Sequence, residues 1–384
     1  MSLDFRSCPR VICEAGSLSQ IGALMRGLGG SRVLLVTDPG IVACGFAEQA
    51  VSALADVGIV TSTFDRVAAD PPITVVNDAV ECARSFHADA IVGLGGGSSL
   101  DTAKVVALAA ATGQSVDDMI GTDKAVGQRL PLIQVPTTAG TGSEVTWVSV
   151  LTSENHEKMA VYAPQLLPDV ALLDAELTVG MPRKITAATA LDAMVHAIEA
   201  ATSRTRKNPV SDGLADKALA LLGQNLPRVL DAPSDLAARE AVLLGATLAG
   251  MAFINASVGS IHALSYPLSS HFQVPHGHGN ALVAAPVLRF NLPSAKAEYA
   301  RLARVLLPGK TFSDDFEAAN GLVLAIESMF VSSGLETRLS QLGISAEAVQ
   351  MMASEVTTGL TRLQANNPRD MSFADVVSLY EEVL

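Results

Sequence analysis

Between residues 31 and 144 the chain repeats one rhythm. A short apolar run ends in a turn or a glycine, and a stretch with apolar residues three and four positions apart follows. SRVLLVTD (31–38) reads as a buried strand ending in an acid. VGIVTSTFD (57–65), ADAIVGLGGGSS (88–99) and LPLIQVPTTAGTGSE (130–144) read as further strands, the last two running into a glycine loop and a polar loop. GFAEQAVSALADVG (45–58), TVVNDAVECARSFH (74–87) and DTAKVVALAAAT (101–112) carry helical spacing. This alternation predicts a largely parallel α/β domain.

From about residue 180 the rhythm changes. Ala- and Leu-rich helical stretches cover 185–202, 209–231, 234–258, 259–271, 293–306, 316–334 and 346–358, with almost no strand-like alternation. NNPRDMS (366–372) reads as a loop, and SFADVVSLYEEVL as a short helix opened by a Ser cap. Gly180 and Pro182 punctuate the change. The expected architecture is an α/β dinucleotide-binding domain (1–180) with a mostly parallel sheet, then an all-α domain (181–384).

Composition narrows the class. Of 384 residues, 49% are hydrophobic and only 4% aromatic, as packed helices over a buried parallel sheet require. A formal net charge of −13 argues against a nucleic-acid backbone binder and fits a cytoplasmic protein. The most apolar stretches, such as LLGATLAGMAFINASVGS, are interrupted by Gly, Ser, Thr or Asn and read as core helices, so no membrane is expected. MSLDFRSCPR lacks the apolar centre of a signal peptide. The cysteines, without CxxC spacing, fit inert thiols in a reducing compartment.

The helical half carries the strongest chemical signal. Asp192 and His196 lie in TAATALDAMVHAIEAATS, four residues apart and so on one helix face. His262 and His276 bracket HALSYPLSSHFQVPH and offer two more imidazoles. One carboxylate and three imidazoles suit a divalent Fe, Zn, Co or Ni ion. Their wide separation in sequence favours a five-coordinate site with room for a substrate oxygen over a closed structural site. An isolated Asp-x-x-x-His is more often a hydrogen-bonded pair; four candidates in two segments shift the balance. Tyr266, four residues after His262, shares its face and reads either as a wall of the metal-side pocket or as an ordinary core tyrosine.

Gly95-Gly96-Gly97-Ser98-Ser99 sits between a strand and a helix. Glycines there let a diphosphate approach free backbone N–H groups, although the run is neither GxxxxGK nor GxGxxG, and a plain tight turn is the alternative. Asp38 ends the first strong strand, where an acid can bind the adenosine ribose and repel a 2′-phosphate, or simply form a turn with Pro39 and Gly40. The hydroxyl-rich loop from Pro136 to Glu144 either holds a nicotinamide and its phosphates or caps the next segment.

GGGSSLDTAK, PTTAGTGSEVT, ALDAMVHAIEA and HALSYPLSSHFQVPHGHGNAL, in that order and spacing, resemble the group III, iron-activated alcohol dehydrogenases from about residue 10 onward. LLPDVALLDAELTVGMP resembles that family's linker. The resemblance implies metal ligation by Asp192, His196, His262 and His276, with Fe(II) or Zn. It implies cofactor contacts at Asp38, Gly96, Gly97, Ser98, Asp101, Thr137, Thr138, Thr141 and Lys158, with NAD favoured over NADP. The implied activity is hydride transfer between a small alcohol and its aldehyde or ketone, in a cleft between the domains of a homodimer or larger homo-oligomer. Three positions depart: Tyr266 replaces a usual second His, His278 lies within the usual PHGxxNA, and His271 stands where an aromatic residue is common. Proton exchange is therefore open among Tyr266, His271, His278, ribose hydroxyls and water. HxxSYP also resembles the hydroxyacid–oxoacid transhydrogenases, so a transhydrogenase or an ω-hydroxyacid dehydrogenase is the first alternative. A dehydroquinate synthase-like lyase or a non-catalytic nucleotide binder is the second.

Overall fold

Strands that are apolar at every position need cover on both faces. In the computed structural model, which describes residues 3–153 and 157–384, six strands form one parallel sheet whose inner strands are buried along nearly their whole length. They are β1 (Arg10–Cys13), β2 (Arg32–Val36), β3 (Val60–Phe64), β4 (Ala90–Gly95), β6 (Leu132–Pro136) and β9 (Val170–Leu173), in spatial order β1-β9-β6-β4-β2-β3. β5 (Gly121–Thr122), β8 (Lys158–Tyr162) and β7 (Val148–Thr152) form a second, small sheet in that order. Six helices belong with them: α1 (Ile21–Gly27), α2 (Pro39–Ala43), α3 (Phe46–Ala55), α4 (Ile73–Ser85), α5 (Gly97–Thr112) and α6 (Val116–Met119). Successive side chains of β2 feed two separate cores, Val33 and Leu35 into one, Leu34 and Val36 into the other. These elements make one of two compact units, Ser7–Thr138 with Gly142–Gly180.

The chain steps outward from β2 to β3, then returns to the other side of β2 to lay down β4. Parallel sheets of this kind bind ligands at the carboxyl ends of the strands where the order reverses. Asp38 follows β2 and Gly95–Gly97 follow β4, so both sequence candidates stand at that crevice.

The second unit is Met181–Leu384 joined by Ala139–Thr141 and the N-terminal residues through Arg6. Its helices are α7 (Arg183–Thr202), α8 (Pro209–Asp231), α9 (Leu236–Ala256), α10 (Ser260–Phe272), α11 (His276–Leu306), α12 (Asp315–Ser332), α13 (Ala346–Gly359), α14 (Thr361–Gln364) and α15 (Phe373–Glu382). α7 is buried on almost every side from Thr186 to Thr202, and its alanines let neighbouring helices approach from all directions. α9 is long and apolar enough to cross a membrane, but it packs along α7 and α8 with most of its surface inside the unit. The reciprocal hydrogen bonds between Asn255 and the Arg6 backbone, both 2.9 Å, tie the N-terminal residues to its end.

The structure corrects two sequence expectations. β1, β9 and the small sheet were not anticipated: they are two to five residues long, and VALL lies inside LLPDVALLDAELTVGMP, which reads as a linker. α11 starts at His276 rather than 293; Pro286 and Pro293 masked its length, and Ala295 marks the kink that follows them.

Candidate functional site

Helix periodicity places Asp192 and His196 on one face of α7, while α10 supplies His262 in its first turn and α11 opens with His276. One donor atom from each of the four lies within 4.8 Å of all the others. Asp192 Oδ1 is 3.7 Å from His196 Nε2, 3.8 Å from His262 Nε2 and 3.9 Å from His276 Nε2. These separations are too long for hydrogen bonds. They approach the edge of roughly 3.4 Å expected between ligands of a four-coordinate ion with bonds near 2.1 Å. The simple Asp–His hydrogen-bonded pair is thus not what forms. Asp192, His196 and His262 are buried and His276 is half-buried, so the ring has one accessible side.

His262 shows the fit to a cation most directly. Its Nδ1 lies 2.6 Å from Glu199 Oε2, and its buried Nε2 has no hydrogen-bond partner. Leaving such an atom unsatisfied costs about 1–3 kcal/mol, which a metal bond would offset. Burial opposes a charged His262, but the Glu199 and Asp192 carboxylates together outweigh it and raise the imidazole's pKa. Burial dominates at His196 and pulls it down to about 3, leaving a neutral ring with its ligand lone pair intact. Asn280 Nδ2 donates to Asp192 Oδ1 at 2.6 Å and lies 3.2 Å from His276 Nε2. Gly277 lets α11 begin against α7: a Cβ there would meet the Ala188 carbonyl at 2.5 Å.

The rings form a continuous array. Phe253 stacks on His196 at 4.3 Å, His196 on His262 at 4.8 Å, and His276 follows at 5.3 Å. Tyr266 lies next in the array, its ring 5.9 Å from that of His276. The structure does not bring His271 or His278 into this array. His271 pairs with Glu355 at 2.7 Å on the exposed side of α10, and His278 Nε2 donates to the Glu336 carbonyl at 2.7 Å. The reason is helical phase: nine positions from His262, or two from His276, turn a side chain roughly 180–200° away.

Sequence reading passed over Glu199, Asn280 and Phe253. The first two had a signal. Glu199 lies three residues after His196 and Asn280 four after His276, so each shares a face with a ligand. Phe253 had none, since its element contains no ligand.

At the switch point the chemistry is that of the main chain. Gly95 has φ +149°, and a Cβ there would fall 2.6 Å from Ser99 Oγ and 3.0 Å from Asp38 Oδ2, so this position requires glycine. At Gly96 a Cβ would make only an ordinary 3.5 Å contact with Thr138. Gly97 and Ser98 open α5, sixteen residues long, whose first-turn N–H groups lack acceptors within the helix. Asp38 caps α2 through Gly40 N at 3.0 Å and accepts from Ser99 Oγ at 3.1 Å while staying partly exposed, so the turn exists and one edge of the carboxylate remains accessible. Thr137 is buried and its N–H donates to the Gly95 carbonyl at 2.9 Å. Thr141 belongs to the helical unit, where Gly140 lies against Thr189.

Two implied cofactor residues also make bonds within the protein. Asp101 accepts from Lys104 at 3.3 Å, from Ser143, and from Val150 N at 2.8 Å. Lys104, fully buried, also donates to Thr146 Oγ1 at 3.0 Å and the Val148 carbonyl at 2.8 Å; burial lowers its pKa against the pull of Asp101. Lys158 pairs with Asp70.

A glycine loop at a parallel sheet's switch point and an Asp/His₃ ring among helices are the parts of a nucleotide- and metal-dependent enzyme. Residues 8–175 match the model of the iron-containing alcohol dehydrogenases, and residues 186–384 match that family's C-terminal model. The chain belongs to this family. It is 36% identical to long-chain-alcohol dehydrogenase 1 of Geobacillus thermodenitrificans, covering 95% of this chain and 93% of the relative. It is 30% identical to the NAD-dependent methanol dehydrogenase of Bacillus methanolicus, over 98% of each. The crystal structure of a 1,3-propanediol oxidoreductase superposes with a TM-score of 0.95 at 31% identity, covering all of both chains.

Proposed function

We propose that this protein interconverts an alcohol and its aldehyde or ketone by hydride exchange with NAD, at a divalent metal held by Asp192, His196, His262 and His276. The observation that carries the reading is the buried, partnerless His262 Nε2 facing Asp192 inside a ring of four donors. An ion held there would supply Lewis acidity toward the substrate oxygen, and a bound nicotinamide would supply the hydride chemistry. The chain's own residues do the rest. Glu199 and Asn280 orient ligand side chains. Phe253 and Tyr266 flank the ring and give the substrate's carbon chain an aromatic wall, with one phenol to hydrogen-bond a polar group. Gly95–Gly97 and the α5 N-terminus hold the diphosphate, Asp38 the adenosine ribose, and Ser98, Thr137, Thr138 and Thr141 the remaining cofactor contacts. The names of the relatives support NAD as the partner nucleotide. A homo-oligomer in the cytoplasm completes the reading, checked by light scattering and fractionation.

The test is reconstitution. Protein stripped by a chelator and reloaded anaerobically with Fe(II), Zn(II), Co(II) or Ni(II) is assayed by NADH absorbance against alcohols from methanol to long-chain, aldehydes and hydroxy acids. Turnover that returns with one ion per chain supports the proposal. Equal turnover in the stripped protein overturns it.

A further inference from the structure

We infer that Glu199 is a positioning residue for the metal: it fixes His262 in the tautomer with the proton on Nδ1 and aims Nε2 at the ion. This rests on the metal reading above. Glu199 lies on α7 between the ligands and the start of α10, buried to 6% exposure. Its carboxylate accepts three hydrogen bonds, from Gly259 N at 2.9 Å, Ile261 N at 2.7 Å and His262 Nδ1 at 2.6 Å. Two backbone donors hold the carboxylate still, so the third bond sets the direction of the imidazole. An acceptor-only carboxylate at Nδ1 requires the proton there, which leaves the Nε2 lone pair outward. That Nε2 lies 3.8 Å from Asp192 Oδ1 and has no hydrogen-bond partner. Carboxylate–histidine–metal arrangements work in this way, and loss of the carboxylate typically costs 10–100-fold in metal affinity.

The competing explanation is that Glu199 merely caps α10. A glutamine separates the two. If its amide donates to Nδ1, the proton moves to Nε2, where the ion must bind. If it accepts instead, its NH₂ faces the Ile261 N–H, and the charge is lost either way. Zinc(II) affinity is measured by competition with a fluorescent chelator for the full chain, Glu199→Gln, His262→Ala and the double variant. The expected result is a loss of about 10–100-fold for Glu199→Gln. In the His262→Ala background the same substitution should change affinity by less than about threefold, because coupled residues are non-additive. Equal losses in both backgrounds, or none in either, assign Glu199 to capping and overturn the inference. A native chain that takes up no zinc overturns the metal reading with it. Should the glutamine variant not fold, ¹⁵N-histidine spectra of the zinc-loaded native chain decide. A protonated, strongly hydrogen-bonded Nδ1 with a metal-shifted Nε2 upholds the role, and the reverse assignment removes it.

Discussion

The metal ring and the glycine loop are built from opposite materials. In the helical unit four side chains from three helices converge, and the decisive sign is what they leave unsatisfied, the Nε2 of His262. At the end of β4 the side chains satisfy one another: Ser99 bonds Asp38, and Asp101 bonds Lys104 and Val150. What is left for a ligand there is backbone, opened by Gly95 and by the first turn of α5. A side-chain site should therefore fail when one donor is removed. A backbone site should fail when a Cβ is added.

The largest effect expected from this contrast is at His262. His262→Ala should lower metal content, measured by elemental analysis, and reduce kcat/KM by more than about a hundredfold, since even outer contacts are worth 10–100-fold. Full occupancy with normal turnover would remove the ring from the chemistry. Next comes the glycine pair. Gly95→Ala forces an L-residue to φ +149° and into Ser99 and Asp38, so it should cost about 1–3 kcal/mol in chemical denaturation. Gly96→Ala should fold normally and raise the KM for NAD. If Gly96→Ala leaves cofactor affinity untouched, the loop is only a turn.

How legible each region was follows from the same contrast. The cluster of Asp192, His196, His262 and His276 was readable because it joins rare residue types at helical spacing. Glu199 and Asn280, which bond His262 and Asp192, were missed although the same spacing reached them, because sequence reading stopped at the Asp/His cluster itself. His271 and His278 were singled out for chemistry alone. Applying the 100° step to them, as to Asp192 and His196, turns both away from the ligands. In the α/β unit β2, β3, β4 and β6 were legible from short apolar runs before a turn, while the four-residue β1 and β9 did not stand out. Asp101 shows what a motif omits: only the fold reveals that Lys104 and Val150 bond its carboxylate.

A pH series sharpens the ring's side of the comparison. Glu199 and Asp192 together raise the pKa of His262 above its ordinary 6.5, so protons compete for the ring below that raised value. Metal affinity should climb by up to about tenfold per pH unit and level off above it. The metal-free protein behaves in the opposite sense. Stability from the charged His262 is fully present below the ordinary pKa and lost as pH rises through the raised one. The rise in melting temperature on adding zinc should therefore widen from acid toward alkaline pH. A pH-independent increment would contradict the assignment.

A smaller effect is expected at Asp38. Glycine there costs only a few tenths of a kcal/mol as a cap, so Asp38→Gly should fold. Removing the like charge should narrow the preference for NAD over NADP by roughly three- to tenfold. Native chain that already prefers NADPH would place the ribose elsewhere.

Tyr266 and His271 supply the finest test, because they lie five residues apart on α10 and only one faces the ring. A phenol, with a reference pKa of about 10, is a poor proton shuttle near neutrality. Its position 5.9 Å from His276 suits contact with a bound substrate instead. Tyr266→Phe should therefore shift the ratio of kcat/KM between polar and apolar alcohols by a few-fold, as one hydrogen bond of about 1 kcal/mol allows, while maximal rate stays within about twofold. His271→Ala removes only an exposed pair with Glu355, worth under about 1 kcal/mol, and should leave both kinetic constants in place. A collapse of kcat in Tyr266→Phe would make the phenol part of the proton path. A collapse in His271→Ala would show that the ring array does not bound the reactive site.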